Sequence, residues 1–288
     1  MRKIVIGILT RIQGNVNANE VEGDRIRIKK LISSSGEVYP FVSARAVKRG
    51  IREKFLEFGF KVDPFRIGEG NKLADSGDPV EYVDNDLFGY LYIKGNQQKA
   101  RHAPVSMSPI IAIEHTPIQI DFGGRFPRED EAYPTPFEIE VADFIGLLKV
   151  VITERCGVFD EKEKTDQLKK WDQYVKEGRL EKIDNGYKLS DDERVNRVKA
   201  LLQILLNEGW TYPKRSNYFT MAEHISGIIY CGEKMYPIWK NIENYTFKEP
   251  SIKDDTKKLM KVYDLKKANV PDEDIERMAT WLVEGVWK

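Results

Sequence analysis

Residues 3 to 10, KIVIGILT, form an unbroken apolar, β-branched run that gives way to the loop formers GNVNANEVEG, which predicts a buried strand followed by a loop. Beyond the loop, RIRIKKLI alternates basic and apolar positions from Arg25 to Ile32. A two-residue period puts Arg25, Arg27 and Lys29 on one side of a strand and Ile26 and Ile28 on the other. Ser43 follows Pro40 and opens a helix: Ala44, Val47, Ile51, Phe55 and Phe58 recur at helical spacing until Gly59, while Arg45, Lys48, Arg49 and Arg52 project from the opposite side.

From about residue 61 to 99 periodicity fades into an irregular, Gly-, Asp- and Asn-rich insertion. PIIAI (109 to 113) predicts a second core strand, and PFEIEVADFIGLLKVVIT (136 to 153) a long third strand bulged near Gly146. Between them IDFGGRFPREDEAYPTP, punctuated by Gly and Pro, predicts a protruding hairpin or loop. The charged stretch 160 to 188 shows helical spacing around Leu168 and Trp171. Ser190 and Glu193 form a capping-box pattern opening a helix along Val195, Val198, Leu201, Leu202 and Leu205. A fourth strand fits between Tyr218 and Cys231, and a last helix from Asp272 to Val286. Without its insertions the order is strand, helix, strand, strand, helix, strand. That order predicts an α+β fold with a ferredoxin-like βαββαβ core, the arrangement of RNA-recognition modules.

Charge changes the picture locally. The 46 basic and 46 acidic residues cancel over the 288-residue chain, so a polyanion site requires clustering. Residues 25 to 54 hold nine Lys or Arg against Glu37 and Glu53, a net charge of +7. Cations spaced by strand and helix periods predict a fixed row lining one shared groove that phosphates can follow; a solvated helix face beside a basic strand is the plainer alternative. The insertion is the reverse, with five acids against one Lys between residues 71 and 90, and is not expected to touch phosphate.

Other candidates for a polyanion are Asn15 and Asn17 in the first loop, Arg101 and His102 before the second strand, Arg125 among Phe122, Phe126 and Arg128, and Lys214 and Arg215 between Tyr212 and Tyr218. Glu22 and Asp24 could hold a metal or assist cleavage. The chain has no GxxxxGK loop, HExxH or GxSxG motif, and no resident cofactor or metal is expected. Cys156 and Cys231 lie far apart without metal or disulfide spacing, which fits a reducing cytoplasm; no run approaches a membrane span.

The run GDRIRIKKLISSSGEVYPFVSARAVKRGIREKF, with RHAPVSMSPIIAIEH and PFEIEVADF, resembles the CRISPR-associated Cas-seven group, especially its DevR-type members, over roughly residues 1 to 155. The resemblance implies a hand-shaped subunit: an RNA-recognition-motif-like palm (1–60 and 100–232), a thumb around 101–136, a finger-like insertion (61–99) and a C-terminal helical extension (233–288). It also implies a non-catalytic type I Cascade backbone protein that binds CRISPR RNA, meets target DNA indirectly, polymerises head-to-tail with copies of itself and joins other Cascade subunits without a membrane. By similarity the guide backbone lies on Ser43, Arg45, Lys48 and Arg52, with Arg25, Arg27 and Lys29 in the same role. A type III-like subunit that cuts target RNA with Asp24 is the alternative.

Overall fold

A computed structural model describes residues 1–16, 20–67, 73–94, 97–128, 133–163, 168–213 and 219–287. In chain order the elements are β1 (Lys3–Gly14), β2 (Glu20–Glu22), β3 (Arg25–Arg27), β4 (Lys30–Ile32), β5 (Val38–Val42), α1 (Ala44–Glu57), β6 (Arg66–Ile67), β7 (Leu73–Ala74), α2 (Val83–Phe88), β8 (Tyr90–Lys94), β9 (Gln97–Arg101), β10 (Val105–Met107) and β11 (Ile110–Ala112). There follow β12 (Gln119–Arg125), β13 (Thr135–Thr153), β14 (Val158–Asp160), α3 (Leu168–Lys176), β15 (Leu180–Ile183), β16 (Gly186–Leu189), α4 (Asp191–Gln203), β17 (Glu223–Gly232), β18 (Ile242–Glu243), β19 (Thr246–Phe247), β20 (Leu259–Tyr263) and α5 (Asp272–Glu284).

The fold is α+β, built on a largely antiparallel sheet in the order β20-β17-β1-β13-β11-β5-β4, with β10 also on β13. β1 lies between β17 and β13, and β13, the central strand, runs antiparallel to it from Lys3↔Thr153 to Gly14↔Ala142 without a shift. The expected bulge at Gly146 is therefore absent. Glycine stands there because a Cβ would lie 2.5 Å from the Ile110 side chain on the neighbouring strand. The register shift falls instead between β1 and β17, at Leu9/Thr10.

Both faces of the sheet are covered, which is why β1 reads as a continuous apolar run rather than an alternation. On one face Ile4, Ile6 and Ile8 pack with Val47, Ile51 and Phe55 of α1, Val198 and Leu201 of α4, and Met278 and Leu282 of α5. On the other, Val5 and Leu9 pack with Ile228 and Tyr230 of β17 beneath Ile238, Trp239 and Phe247. Of residues 233 to 287, only Asp272–Glu284 is helical; the rest lays this cover and adds β20 to the sheet edge. Tyr230 donates its hydroxyl to Asp254, whose pKa falls to about 2, chiefly through that bond. A satellite core of Phe159, Trp171, Tyr174 and Tyr187 closes the small sheet β14-β16-β15 against α3.

α1 begins where Ser43 Oγ accepts the Ala46 amide at 3.3 Å and ends at Gly59, whose φ of 79° suits glycine. α4 is capped by Ser190 Oγ, which accepts the Glu193 amide at 3.3 Å, and runs through a π turn (Ile204–Glu208) to Gly209. Beyond that turn, both ring nitrogens of His224 are shielded from solvent and the ring lies 5.4 Å from Trp210. Burial lowers the His224 pKa to about 4. The unfolded chain then binds more protons below its ordinary value of about 6.5, so stability present above that pH is lost as pH falls toward 4, by up to roughly 3 kcal/mol. His224→Phe is expected to flatten that part of a urea-midpoint profile measured from pH 7 to 4.

Candidate functional site

The cations of α1 recur at positions 45, 48, 49 and 52, a spacing that keeps them off the buried stripe of Val47, Ile51 and Phe55. Arg49 meets Glu53 at 3.3 Å. Arg52 reaches the buried Asp84 at 2.8 Å, and the other Asp84 oxygen accepts the Asp63 amide at 2.9 Å. Lys48 Nζ sits 5.2 Å and the Arg52 guanidinium 5.3 Å from the centre of the Phe88 ring. Burial, with the Arg52 charge adding to it, holds the Lys48 pKa below the ordinary lysine value. Arg45 is exposed, and neither it nor Lys48 has a carboxylate partner among the described residues. A cation partly stripped of water and lacking a counter-charge gains most from an incoming anion.

The insertion positions this platform. α2 ends at Phe88, and Gly89 (φ 74°) lets the chain turn so tightly that a Cβ there would stand 2.4 Å from the Arg101 carbonyl. The exposed His102 therefore follows the segment that packs on Gly89, beside Phe88. The acids of the insertion face inward: Asp78, Asp84 and Asp86 are buried and serve as counter-charges for Lys170, Arg52 and Arg101.

The expected single groove does not form. The alternating run is split into β3 and β4, because the buried Glu140 accepts the Ile28 amide at 3.2 Å and the Lys30 ammonium at 3.0 Å. Ile26 and Ile28 turn inward as the alternation requires. Arg25, however, is tied to Glu138 at 2.5 Å and Arg27 to Glu22. Lys54, at the end of α1, is held by Glu57 and Glu208. Of the nine cations between residues 25 and 54, six are matched by acids among the described residues, leaving Lys29, Arg45 and Lys48.

β3 belongs instead to a second feature, an arm. β12 and the first half of β13 form a hairpin paired from Gln119↔Val141 to Arg125↔Thr135, and β3 adds to it parallel at Glu138↔Arg25. The predicted protrusion is thus a real hairpin, in which the Phe137 ring covers Gly123 across the strand pair. Phe122, Phe126 and Tyr133 are 71%, 77% and 94% exposed on it, and Arg125 is exposed at the end of β12. Along the arm, where β3 joins the hairpin, lies a cavity of about 510 Å³ lined by Glu22, Asp24, Arg25, Arg27, Phe122, Pro136, Phe137 and Glu138.

Two candidates leave the surface altogether. Arg101 has no exposed side-chain area; it binds Asp86 at 2.7 Å and Glu163 at 2.7 Å, an internal ion pair rather than a contact for a ligand. Asn15 is buried, its Nδ2 donating to the Glu140 carbonyl at 2.7 Å. Ser43 is half-buried and its hydroxyl serves as the helix cap. Asn17, Lys214 and Arg215 lie outside the described residues.

With that geometry in place, comparison with known proteins is informative. Residues 14–252 match the family described as CRISPR-associated negative auto-regulator DevR/Csa2. The chain belongs to this family. No curated protein matches it. Among solved structures it is similar to a chain of a "CRISPR RNA-guided surveillance complex" at 12% identity and a TM-score of 0.50, covering 83% of this chain and 73% of that one. A chain of a "CRISPR RNA-guided surveillance complex, pre-nicking" aligns at 11% identity and a TM-score of 0.47, over 81% and 79% of the two chains. At such identity the first likeness speaks for the fold.

For this DevR/Csa2 chain, sequence reasoning missed Phe88, the ring under Lys48 and Arg52, because it stands in an insertion with no periodic signal linking it to α1. It also missed Glu138 and Glu140 as partners of the basic strand. Their signal was present: FEIEVAD places acids at a two-residue period, the complement of RIRIK.

Proposed function

We propose that this DevR/Csa2 chain is a non-catalytic, RNA-binding backbone subunit of a type I Cascade complex, holding the phosphates of a CRISPR RNA guide for target DNA pairing. The observation that carries the proposal is the α1 face, where Arg45 and Lys48 stand without acid partners among the described residues while six of the nine cations between residues 25 and 54 are matched internally. A guide holder must accept any spacer, so contacts to phosphate and sugar suit it better than base recognition. The strand order β17-β1-β13-β11 with α1 and α4 on one face supports an RNA-recognition-motif-like palm, with the β12–β13 arm as thumb and residues 61–99 as finger. Because the sheet's other face is covered by Ile238, Trp239 and Phe247, the proposed RNA path follows the α1 face instead. Glu22 is committed to Arg27, which favours a structural over a catalytic part for that loop.

Copies arranged along one RNA meet through two different surfaces and extend as a filament rather than closing a ring. Protein purified from a heterologous host is expected to carry RNA, seen as a raised ratio of 260 to 280 nm absorbance, and to form oligomers that shrink on ribonuclease treatment. A low ratio with nuclease-indifferent size would remove the RNA-binding role.

A further inference from the structure

Lys48 differs from the other lysine of α1 in what surrounds its amine. Its Nζ lies 5.2 Å from the centre of the Phe88 ring, and the Arg52 guanidinium, pinned by the buried Asp84 at 2.8 Å, lies 5.3 Å from the same centre. Two cations are thus held against one aromatic side chain. Phe88 fixes where the ammonium stands without supplying a formal charge to neutralise it, and Lys48 has no carboxylate partner among the described residues. The side chain is half-buried, so it has lost water and can still be reached. Burial, with the Arg52 charge adding to it, favours the neutral amine. Lys54, further along the same helix, is the contrast: Glu57 and Glu208 hold it as the ammonium. Desolvation beside another cation is the arrangement that makes a lysine nucleophilic near neutral pH.

Three residues before Lys48, and so beside it on the helix surface, stands the exposed Arg45, likewise without an acid partner among the described residues. That cation suits the anionic end of an acyl donor. We propose that Lys48 is a site of acylation by acyl phosphates, and that its acylation withdraws the α1 face from RNA. The Lys48 amine attacks the carbonyl carbon and a C–N bond forms. The bond from that carbon to the phosphate oxygen breaks, and phosphate leaves with the electron pair, taking up the proton that the nitrogen releases. Nothing is oxidised or reduced. The product is a neutral amide, which removes one of the two α1 cations that lack an acid partner among the described residues. The effect on RNA rests on the RNA-binding reading above; the acylation itself does not.

The test treats the full chain, freed of host RNA, briefly with acetyl phosphate and follows each lysine by peptide mass spectrometry. Lys48 is expected to be acetylated at an initial rate about fivefold above that of Lys54. Arg45→Ala is expected to slow the reaction of Lys48 with acetyl phosphate but not with the uncharged N-hydroxysuccinimidyl acetate. Acetylation of Lys48 is expected to lower affinity for a single-stranded RNA of mixed sequence about tenfold, the size of one charge-assisted contact. Lys48→Arg keeps the charge without the reactive amine, and is expected to hold its affinity through the same treatment. Lys48 reacting no faster than Lys54 would overturn the acylation site while leaving RNA binding intact, and an Arg45→Ala rate unchanged with acetyl phosphate would overturn the choice of donor. Lys48 acetylated first with RNA affinity unchanged would overturn the effect on RNA. Failure of the untreated protein to bind RNA would overturn the RNA-binding reading and the effect that rests on it, whereas the acylation site stands or falls by the order of labelling alone.

Discussion

Asp86→Ala is expected to destabilise the protein by about 3–5 kcal/mol, read as a lowered urea unfolding midpoint, because it breaks the most deeply buried ionic network in the described residues. Asp86 is 0% exposed. One of its oxygens takes Arg101 at 2.7 Å and the Gly157 amide at 2.9 Å; the other takes Arg197 at 3.0 Å. Arg101 continues to Glu163 and to the carbonyls of Val158 and Arg155, and Arg197 to those of Pro79 and Val80. The network thereby fastens the insertion, β9, the β13–β14 turn and α4 to one another. Without the Asp86 carboxylate, the buried Arg101 keeps only Glu163, which it shares with Arg155, and the buried Arg197 only the half-buried Glu193, so desolvation is no longer fully compensated. Asp86→Asn keeps the shape but not the charge, and is expected to lose a large part of the same energy.

The double substitution Arg45→Ala with Lys48→Ala is expected to weaken single-stranded RNA binding about 100-fold for all sequences alike, roughly 3 kcal/mol for two charge-assisted contacts. The slope of log affinity against log salt should flatten by about 1.4, some 0.7 for each phosphate no longer neutralised. Stability should change by no more than about 1 kcal/mol, since Arg45 has no acid partner to strand among the described residues and Lys48 loses only its place over Phe88. Arg52 is the wrong residue for this experiment. Its removal leaves the buried Asp84 without a counter-charge, so a loss of binding in Arg52→Ala would be confounded with a loss of fold. An affinity and salt slope unchanged in the Arg45, Lys48 double variant would take α1 out of the site.

Local physics made much of the framework legible. β1, α1, α4, β17 and α5 follow from apolar runs, helical periodicity and caps that act within a few residues, and they lie close to where the pattern places them. The hairpin signalled by the Gly and Pro of 121 to 136 is likewise a local property. Where the pattern misled, a distant residue decided. Gly146 reads as a bulge until Ile110 is seen across the strand pair, and Arg101 reads as a surface cation until Asp86 and Glu163 close around it.

The sequence by itself determined the order of core elements, the amphipathic basic helix and the absence of familiar hydrolase motifs, because each is written in spacing along the chain. Only the tertiary structure decided which cations remain available. Charge adds up along a sequence without regard to partners, but a site depends on what is left after each cation has met an acid that the fold brings near. Residues 25 to 54 have a net charge of +7, yet Glu138, Glu140 and Asp84, all distant in sequence, claim Arg25, Lys30 and Arg52. What survives is a narrower candidate site on α1, and beside the arm a cavity that no spacing rule foresaw.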